Sequence, residues 1–369
     1  MNVLIFADGD SIWTKSVIEH TLCSYDDNVT ILSTKLVSKY AEFYKKNNIS
    51  IVYRRKMLGK VGSLFIGISN LDTISKGYDI FCAHYITNAS IRVLTIAKKY
   101  CKKTIFIFWG SDILRRTKKS IRRIYAFNTV DRICMSTREM EKKFHELYGM
   151  KFDNKIRKIN FGSNGIELLT DGQLEMKEIR RRYNIDESKI VISIGYNKMC
   201  SQQHLKVLNV IKTLLPELRE KIHIILRLTY GNGDNNYINK IKALVDESGC
   251  SSSIFESYMS DIEVAEVVSI TDIFIHAQTT DARSASMCEH LYAGSLVIVP
   301  SWIQYSEIEG KVFYLTFEKF EDLEDLISNN LVHKQNSIYH EKLKRNRIEL
   351  YDLCSWKSQV PDWRKLYLD

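Results

Sequence analysis

The sequence predicts an α/β protein of two domains, each a parallel sheet covered by helices on both faces, with the two sheets facing a cleft. Three observations carry this. Short runs rich in Ile, Val and Phe alternate with amphipathic stretches over most of the 369 residues, the pattern of buried parallel strands joined by helical crossovers. The alternation lapses in a polar stretch at 163–188 and then restarts. The length suits two domains, each able to bury its own core. Composition excludes other classes: 45% apolar and 26% charged residues rule out a disordered chain or a fibre. No apolar run reaches the roughly 18 residues of a membrane-spanning helix.

The opening, MNVLIFADGDSIW, has no basic n-region and no small-residue cleavage site. It reads as a strand that begins the fold rather than as a signal peptide. Strands are expected at 2–7, 28–33, 49–54, 79–84, 104–109, 131–135 and 156–161, with helices such as 89–100 and 137–147 between them. Residues 163–188 read as a connector plus one charged helix. A second series follows, with strands at 190–195, 222–228, 253–256, 272–276 and 296–300 and helices near 202–214, 235–248, 261–270 and 284–293. The expected division is a first domain over 1–165, a second over 166–350, and a helical tail over 351–369 that returns to the first domain.

Eight cysteines are scattered with no two within four residues, so the close pairs of zinc and redox motifs are absent. They read as reduced cytosolic thiols, with Cys82, Cys134 and Cys288 as small core residues. The net charge of +9 is uneven. Up to Glu167 there are 29 Lys and Arg against 15 Asp and Glu, and beyond it 24 against 29. A basic first half points to an anionic partner, whether nucleic acid, an acidic membrane surface or a phosphorylated substrate; a merely solvated basic face is the alternative.

Two such domains hold their ligand in the cleft at the carboxyl ends of their strands, so candidate residues lie just after strands. The most informative stretch is TDIFIHAQTTDARSASMCEHLYAGSLVIVPSW, 271–302. A strand runs into a polar loop, then a helix begins near Ser284 and ends before Gly294, a natural left-handed end residue. Ser284, Ala285 and Ser286 open the helix, where free N–H groups and the dipole favour an anion. Glu289 is a carboxylate on an otherwise apolar helix. It either caps or salt-bridges something structural, or accepts hydrogen bonds from a ribose diol.

This stretch resembles the carboxylate signature of GT-B glycosyltransferases of the group 1, glycogen-synthase-like kind, in which one Glu, seven residues, and a second Glu open E-A-x-A-x-G-x-P-V-I. Here Asp281, seven residues and Glu289 stand in DARSASMCEHLYAGSLVIVP. Glu289, Ala293, Gly294, Val297 and Ile298 match; Asp281 replaces the first Glu, and Ala282-Arg283-Ser284 replaces Gly-Phe-Gly. The wording is also similar to bacterial surface-polysaccharide transferases related to the 4-acetamidofucosyl transferase. KIRKINFGSNGIE (155–167) is similar to the family's K-x-x-V-I-P-N-G-V-D, FWGSD (108–112) to its H-G-S-D, and 255–277 to its base-holding segment, with Tyr258 and Met259 against the base.

The resemblance implies two Rossmann-like domains and sugar transfer from a nucleotide diphosphate sugar to a hydroxyl of a growing, lipid-linked bacterial surface glycan. It implies no metal and no cofactor beyond the donor. The location implied is cytoplasmic, peripheral on the membrane through the basic first domain, without nucleic acid as partner. One departure stands out. The family's G-R-L-x-x-x-K-G supplies two cations for the diphosphate, whereas GYNKMCSQ puts Tyr196 and Ser201 there. Arg283 is the first substitute, with Lys198, Arg227 and His204 as the others, and Asn197 is a further donor-binding candidate. Asp281 would face the transferred sugar.

On the first domain, Gly9, Asp10, Ser11, His84, Trp109 and Asp112 follow strands and are the acceptor-side candidates, with Asp10 or His84 as general base. Asp10 or Ser11 could instead cap the first helix. DILRRTKKSIRRIYAF (112–127) reads as one basic helix that suits an anionic bilayer. The rival reading is a non-catalytic GT-B partner protein that binds glycan or a true transferase. A dinucleotide oxidoreductase would need G-x-G-x-x-G after a strand, which neither DGDSIW nor GYNKMC supplies.

Overall fold

The computed structural model describes residues 1–53, 70–332 and 337–369. They form two compact units, Met1–Phe161 with Gln359–Asp369, and Gly162–Ser358.

The first unit is built on seven strands: β1 (Asn2–Ala7), β2 (Asn28–Ser33), β3 (Ser50–Val52), β4 (Tyr78–His84), β5 (Cys101–Ile107), β6 (Arg132–Met135) and β7 (Ile156–Lys158). All pair in parallel, in the order β3-β2-β1-β4-β5-β6-β7. The central strands are apolar on both faces because helices cover both: Val3, Leu4 and Ile5 are fully buried, as are Phe81 and Cys82. The order reverses between β1 and β4, so the chain winds one way from β1 to β3 and the other way from β4 onward.

The second unit repeats this plan with β8 (Ile190–Ile194), β9 (Ile222–Arg227), β10 (Ser251–Phe255), β11 (Ile273–Ile275), β12 (Leu296–Pro300) and β13 (Leu315–Phe317). The order is β10-β9-β8-β11-β12-β13, again all parallel. Ile192, Ile194, Ile224 and Ile298 form one side of its core with the His204–Thr213 and Asn235–Ser248 helices. Phe274, Met287, Leu291 and Val299 form another with the Ala285–Ala293 and Ser337–Cys354 helices. The last helix, Trp356–Leu368, begins with Trp356 donating to Asn164 Oδ1 (3.0 Å) in the second unit. Further along, Trp363 donates to the Asn160 carbonyl (2.7 Å) in the first.

Several expectations are corrected. The strand expected at 104–109 starts at Cys101 and ends at Ile107, because Lys102 and Lys103 find partners in Asp79 and the Leu366 carbonyl. The strand expected at 49–54 is Ser50–Val52, and Arg54 lies outside the described residues. The one expected over 156–161 ends at Lys158. Strand β13 was not expected; it is three residues of the nearly all-apolar run VFYLTF, in which no period marks them out. The polar stretch 163–188 holds two helices, Asn164–Thr170 and Met176–Arg182, the first capped by Ser163.

The basic helix expected over 112–127 is instead two short helices, Ser111–Leu114 and Ile121–Thr129. The break has a cause. Ser120 is extended and starts the second helix, while Arg123 turns inward, only 2% exposed, and donates to the carbonyls of Ile86 (2.5 Å) and Asp112 (3.3 Å). Arg123 therefore ties loops together rather than adding to a basic face.

Burial keeps several histidines neutral, His84 and His204 among them. It lowers the pKa of His84 to about 3 and of His204 to about 4. In the unfolded chain both titrate near 6.5. The unfolded state then binds more protons between these values. The stability they confer is complete above pH 6.5 and is lost as pH falls toward 4 and 3, at up to about 1.4 kcal/mol per pH unit for each group. Urea midpoints measured from pH 7 to pH 4 should fall, and His84→Leu should make the fall shallower by one proton's worth.

Candidate functional site

The winding of the second unit reverses between β8 and β11, the place where open parallel sheets receive ligands. The segment after β11 is organised by Asp281. Its Oδ2 accepts from His276 Nε2 (3.0 Å), the Tyr305 hydroxyl (3.0 Å) and the Ser284 N–H (2.9 Å). Burial raises the Asp281 pKa, but the His276 charge and these three bonds outweigh it and hold the carboxyl below its ordinary value. Asp281 thus fixes the entry to the Ala285–Ala293 helix. Arg283 takes a left-handed backbone (φ 59°) in this turn. Its guanidinium is buried, and the Glu307 and Asp281 carboxylates nearby favour its charge.

Ser284 is the helix N-cap, its Oγ accepting from the Met287 N–H, and Ala285 is the first helical residue. One turn in, Glu289 is 9% exposed, with Oε1 accepting from the Ser163 hydroxyl at 2.6 Å. Burial raises its pKa, opposed by the Ser163 bond and the Arg227 charge, while Asp261 raises it further. Gly165 makes this approach possible. A Cβ there would stand 2.7 Å from Glu289 Cδ, closer than real Cβ contacts. Arg227 ends β9 and its Nη2 donates to the Ser286 hydroxyl at 2.5 Å. Glu289, Ser163, Arg227 and Ser286 thus form one buried group at the start of this helix.

The loop after β8 supplies Tyr196, Asn197 and Lys198. Tyr196 stacks on His276 (5.8 Å, 19°) and its hydroxyl accepts from Gln278 (3.1 Å). Asn197 Oδ1 accepts from the Met199 N–H (2.9 Å), and the Lys198 N–H donates to the Tyr230 carbonyl (2.9 Å). His204 Nδ1 meets the Tyr237 hydroxyl (3.1 Å). Being neutral at pH 7, His204 adds no positive charge, which corrects its place among the substitute cations. Tyr258 is 60% exposed, whereas the Met259 side chain packs into a core with Val191, Ile225 and Val267.

In the first unit, Gly9 follows β1 and must lack a side chain, since a Cβ would fall 2.5 Å from Val37 Cγ2. Asp10 accepts from the N–H groups of Ser38, Lys39 (2.9 Å) and Tyr40 and from the Ser38 hydroxyl. It anchors the segment after β2. Ser11 is the N-cap of Ile12–Thr21 by backbone position, with no side-chain cap bond.

His84 ends β4, is 2% exposed, and neither ring nitrogen has a hydrogen-bond partner. It lies near-parallel to Trp363 (6.2 Å) and edge-on to Trp109 (6.0 Å), whose own Nε1 is buried without a partner. A pKa near 3 makes His84 a weak base at neutral pH. Asp112 accepts from Ile86 N–H (2.8 Å), Trp109 N–H (3.0 Å) and Gly110 N–H (3.1 Å), tying the loop after β4 to the loop after β5. Among the described residues no group of three or more His, Cys, Asp or Glu side chains is arranged to hold a metal.

Sequence reasoning missed Ser163, Gly165, His276 and Tyr305. The first two lie in FGSNGIE and carry a readable signal, a Ser and a Gly at a helix start; the last two become partners of Asp281 only through the fold.

The fold is shared with solved glycosyltransferase structures. A glycosyltransferase from Rickettsia africae superposes with a TM-score of 0.78 at 15% identity, over 99% of this chain and 97% of that one. Anabaena HepE in complex with UDP-glucose gives 0.71 at 12% identity, over 99% of both chains. The Thermosynechococcus elongatus sucrose-phosphate synthase gives 0.75 at 11%, over 100% of this chain and 98% of that one. The chain has the GT-B fold, with its two parallel sheets of seven and six strands. No family model and no curated protein sequence matches it.

The Ser163–Glu289 contact can be tested without a ligand. Ser163→Ala should cost about 1–3 kcal/mol, because it strips a buried carboxylate oxygen of its donor. Gly165→Ala should displace the Glu289 side chain and destabilise the chain as well. Urea unfolding of both variants measures this.

Proposed function

We propose that the chain is a glycosyltransferase that moves a sugar from a nucleotide diphosphate sugar to a hydroxyl of a growing, lipid-linked bacterial surface glycan. The observation that carries this is the buried group of Glu289, Ser163, Arg227 and Ser286 at the start of the Ala285–Ala293 helix. It offers what a nucleoside diphosphate needs: a carboxylate for ribose hydroxyls and a helix start with a cation for phosphate. HepE, of the same fold, has been solved with UDP, and with UDP-glucose.

In this reading Glu289 keeps Oε1 on Ser163 and uses its other oxygen for the ribose. Asp281, committed through Oδ2, holds the loop that faces the transferred sugar, with Arg283 in that loop. Asn197 and Lys198 border the donor, and the backbone of Tyr258 and Met259 meets the base. The acceptor-side residues Gly9, Asp10, Ser11, His84, Trp109 and Asp112 belong to the first unit. The chemistry runs without a metal or cofactor other than the donor. Glu289→Gln should lower turnover of the donor roughly ten- to a thousandfold, on the scale of one or two lost charge-assisted hydrogen bonds. Unchanged kinetics would remove Glu289 from the donor site.

Tyr196 and Ser201 in place of two cations favour a second reading, a non-catalytic partner that binds glycan or a true transferase. Release of nucleoside diphosphate from any nucleotide sugar, followed over a panel that includes amino-sugar donors, decides between them.

The location proposed is the cytoplasmic face of an anionic membrane. No helix among the described residues is long and apolar enough to cross one. Attachment would be peripheral, through the Ile121–Thr129 helix. Ile121 is 87% and Tyr125 58% exposed, one turn apart, beside the exposed Arg115, Lys118, Lys119 and Arg122. Apolar side chains flanked by cations suit a headgroup layer, each cation contributing about 1 kcal/mol. Changing Arg115, Lys118, Lys119 and Arg122 to Glu should abolish co-sedimentation with anionic vesicles at low salt and spare turnover on a short soluble acceptor. Wild-type protein that ignores such vesicles would exclude the membrane role.

A further inference from the structure

A nucleoside diphosphate brings two to three negative charges, and a buried site must meet them with fixed positive charge or aimed donors. Four side chains were in question for that task. His204 is neutral at pH 7. Arg283 already has the Asp281 and Glu307 carboxylates nearby. Lys198 is half-buried in the loop after β8 and reaches Tyr230 only through its backbone. Arg227 is different in kind.

Arg227 is 4% exposed. Its Nη2 donates to Ser286 Oγ at 2.5 Å and faces His290 Nε2 at 3.5 Å. His290 is itself fully buried, and its Nδ1 meets Ser295 Oγ at 3.3 Å. With Nδ1 donating to that hydroxyl, Nε2 is left as an acceptor facing the guanidinium. Arg227 Nε is buried with no hydrogen-bond partner. Glu289 is near enough to favour its charge, yet among the described residues no carboxylate lies within ion-pair distance of it, and the Glu289 oxygen that is engaged accepts from Ser163. A guanidinium taken out of water with two neutral partners and a bare N–H is costly unless something completes it. Ser286, which it touches, is the second residue of a nine-residue helix whose start favours an anion.

We propose that Arg227 is the cation that binds the diphosphate of the donor, held in place by Ser286 and His290, with its Nε N–H as the donor that the ligand completes. This rests on the nucleotide-sugar reading and deepens it: the positive charge comes from the end of β9 rather than from the loop after β8 or from Arg283. The planar five-donor fork suits this arrangement, since it can grip Ser286, His290 and a phosphate oxygen together.

The test compares uridine with UDP by calorimetric titration of the full chain. Wild type should bind UDP far more tightly than uridine. Arg227→Met fills much the same volume without charge, so the fold should tolerate it. It should lose about ten- to a hundredfold in UDP affinity and leave uridine affinity unchanged. Arg227→Met that keeps the wild-type ratio, or that loses both ligands equally, overturns the proposal. Should Arg227→Met fail to fold, Arg227→Lys gives the answer. A compact ammonium cannot reproduce the fork, so the UDP-to-uridine ratio should drop severalfold, and an unchanged ratio overturns the proposal. Wild type that binds uridine and UDP equally also overturns it and leaves nucleoside binding intact. Wild type that binds neither contradicts the donor-site reading itself.

Discussion

Two parallel neighbours cannot be joined by a tight turn; the chain must cross over a face of the sheet and return to the same end. In each unit that constraint acts twice in opposite directions, away from β1 and away from β8. The crossovers from β1 and β4, and from β8 and β11, therefore leave on different sides and part at the carboxyl ends of the strands. Most of the residues with unusual polar chemistry hang on that parting. Asp281, Ser286 and Glu289 follow β11, Tyr196 and Asn197 follow β8, His84 ends β4, and Asp112 follows β5.

The polar groups at these ends are satisfied unequally. Asp281, Asp10 and Asp112 each accept three or more hydrogen bonds, Asp10 and Asp112 mostly from backbone N–H groups and Asp281 from two side chains and one N–H, and so hold loops in place. Arg227 and His84 are as deeply buried, yet keep nitrogen atoms without partners. Satisfied carboxylates build the scaffold, and under-satisfied nitrogens mark where stability has been given up. That is the usual relation between a fold and a site it has to keep open.

Much of the fold was legible in the residues. Strands β1, β2 and β12 and the Asn235–Ser248 helix coincide with the expected bounds, because their apolar runs are bounded by polar residues. Lys102 and Lys103 hid the start of β5. The even spacing of Arg and Lys over 112–127 looked helical, while Arg123 in fact points inward. At the site, the seven-residue spacing of Asp281 and Glu289 was visible. Their partners were not. Ser163 is 126 residues from Glu289, Arg227 59 from Ser286, and Tyr305 24 from Asp281. Contacts of that span are set by strand order, which no local pattern states.

Asp112 has one more effect. Burial pushes its carboxyl up to about 6, against the pull of the Ile86 and Trp109 N–H groups and of Arg123. An unfolded aspartate titrates near 3.9. Between those values the folded chain holds the extra proton, so the contribution of Asp112 is largest below pH 4 and fades as pH rises through 6, opposite in sign to that of the buried histidines. Folding in mild acid thus expels protons at His84 and His204 while capturing one at Asp112. That capture offsets only part of the histidine effect, so stability still falls toward pH 4, less steeply than the histidines alone would make it. The junction of the loops after β4 and β5 thus tightens in mild acid while the rest of the chain loses stability.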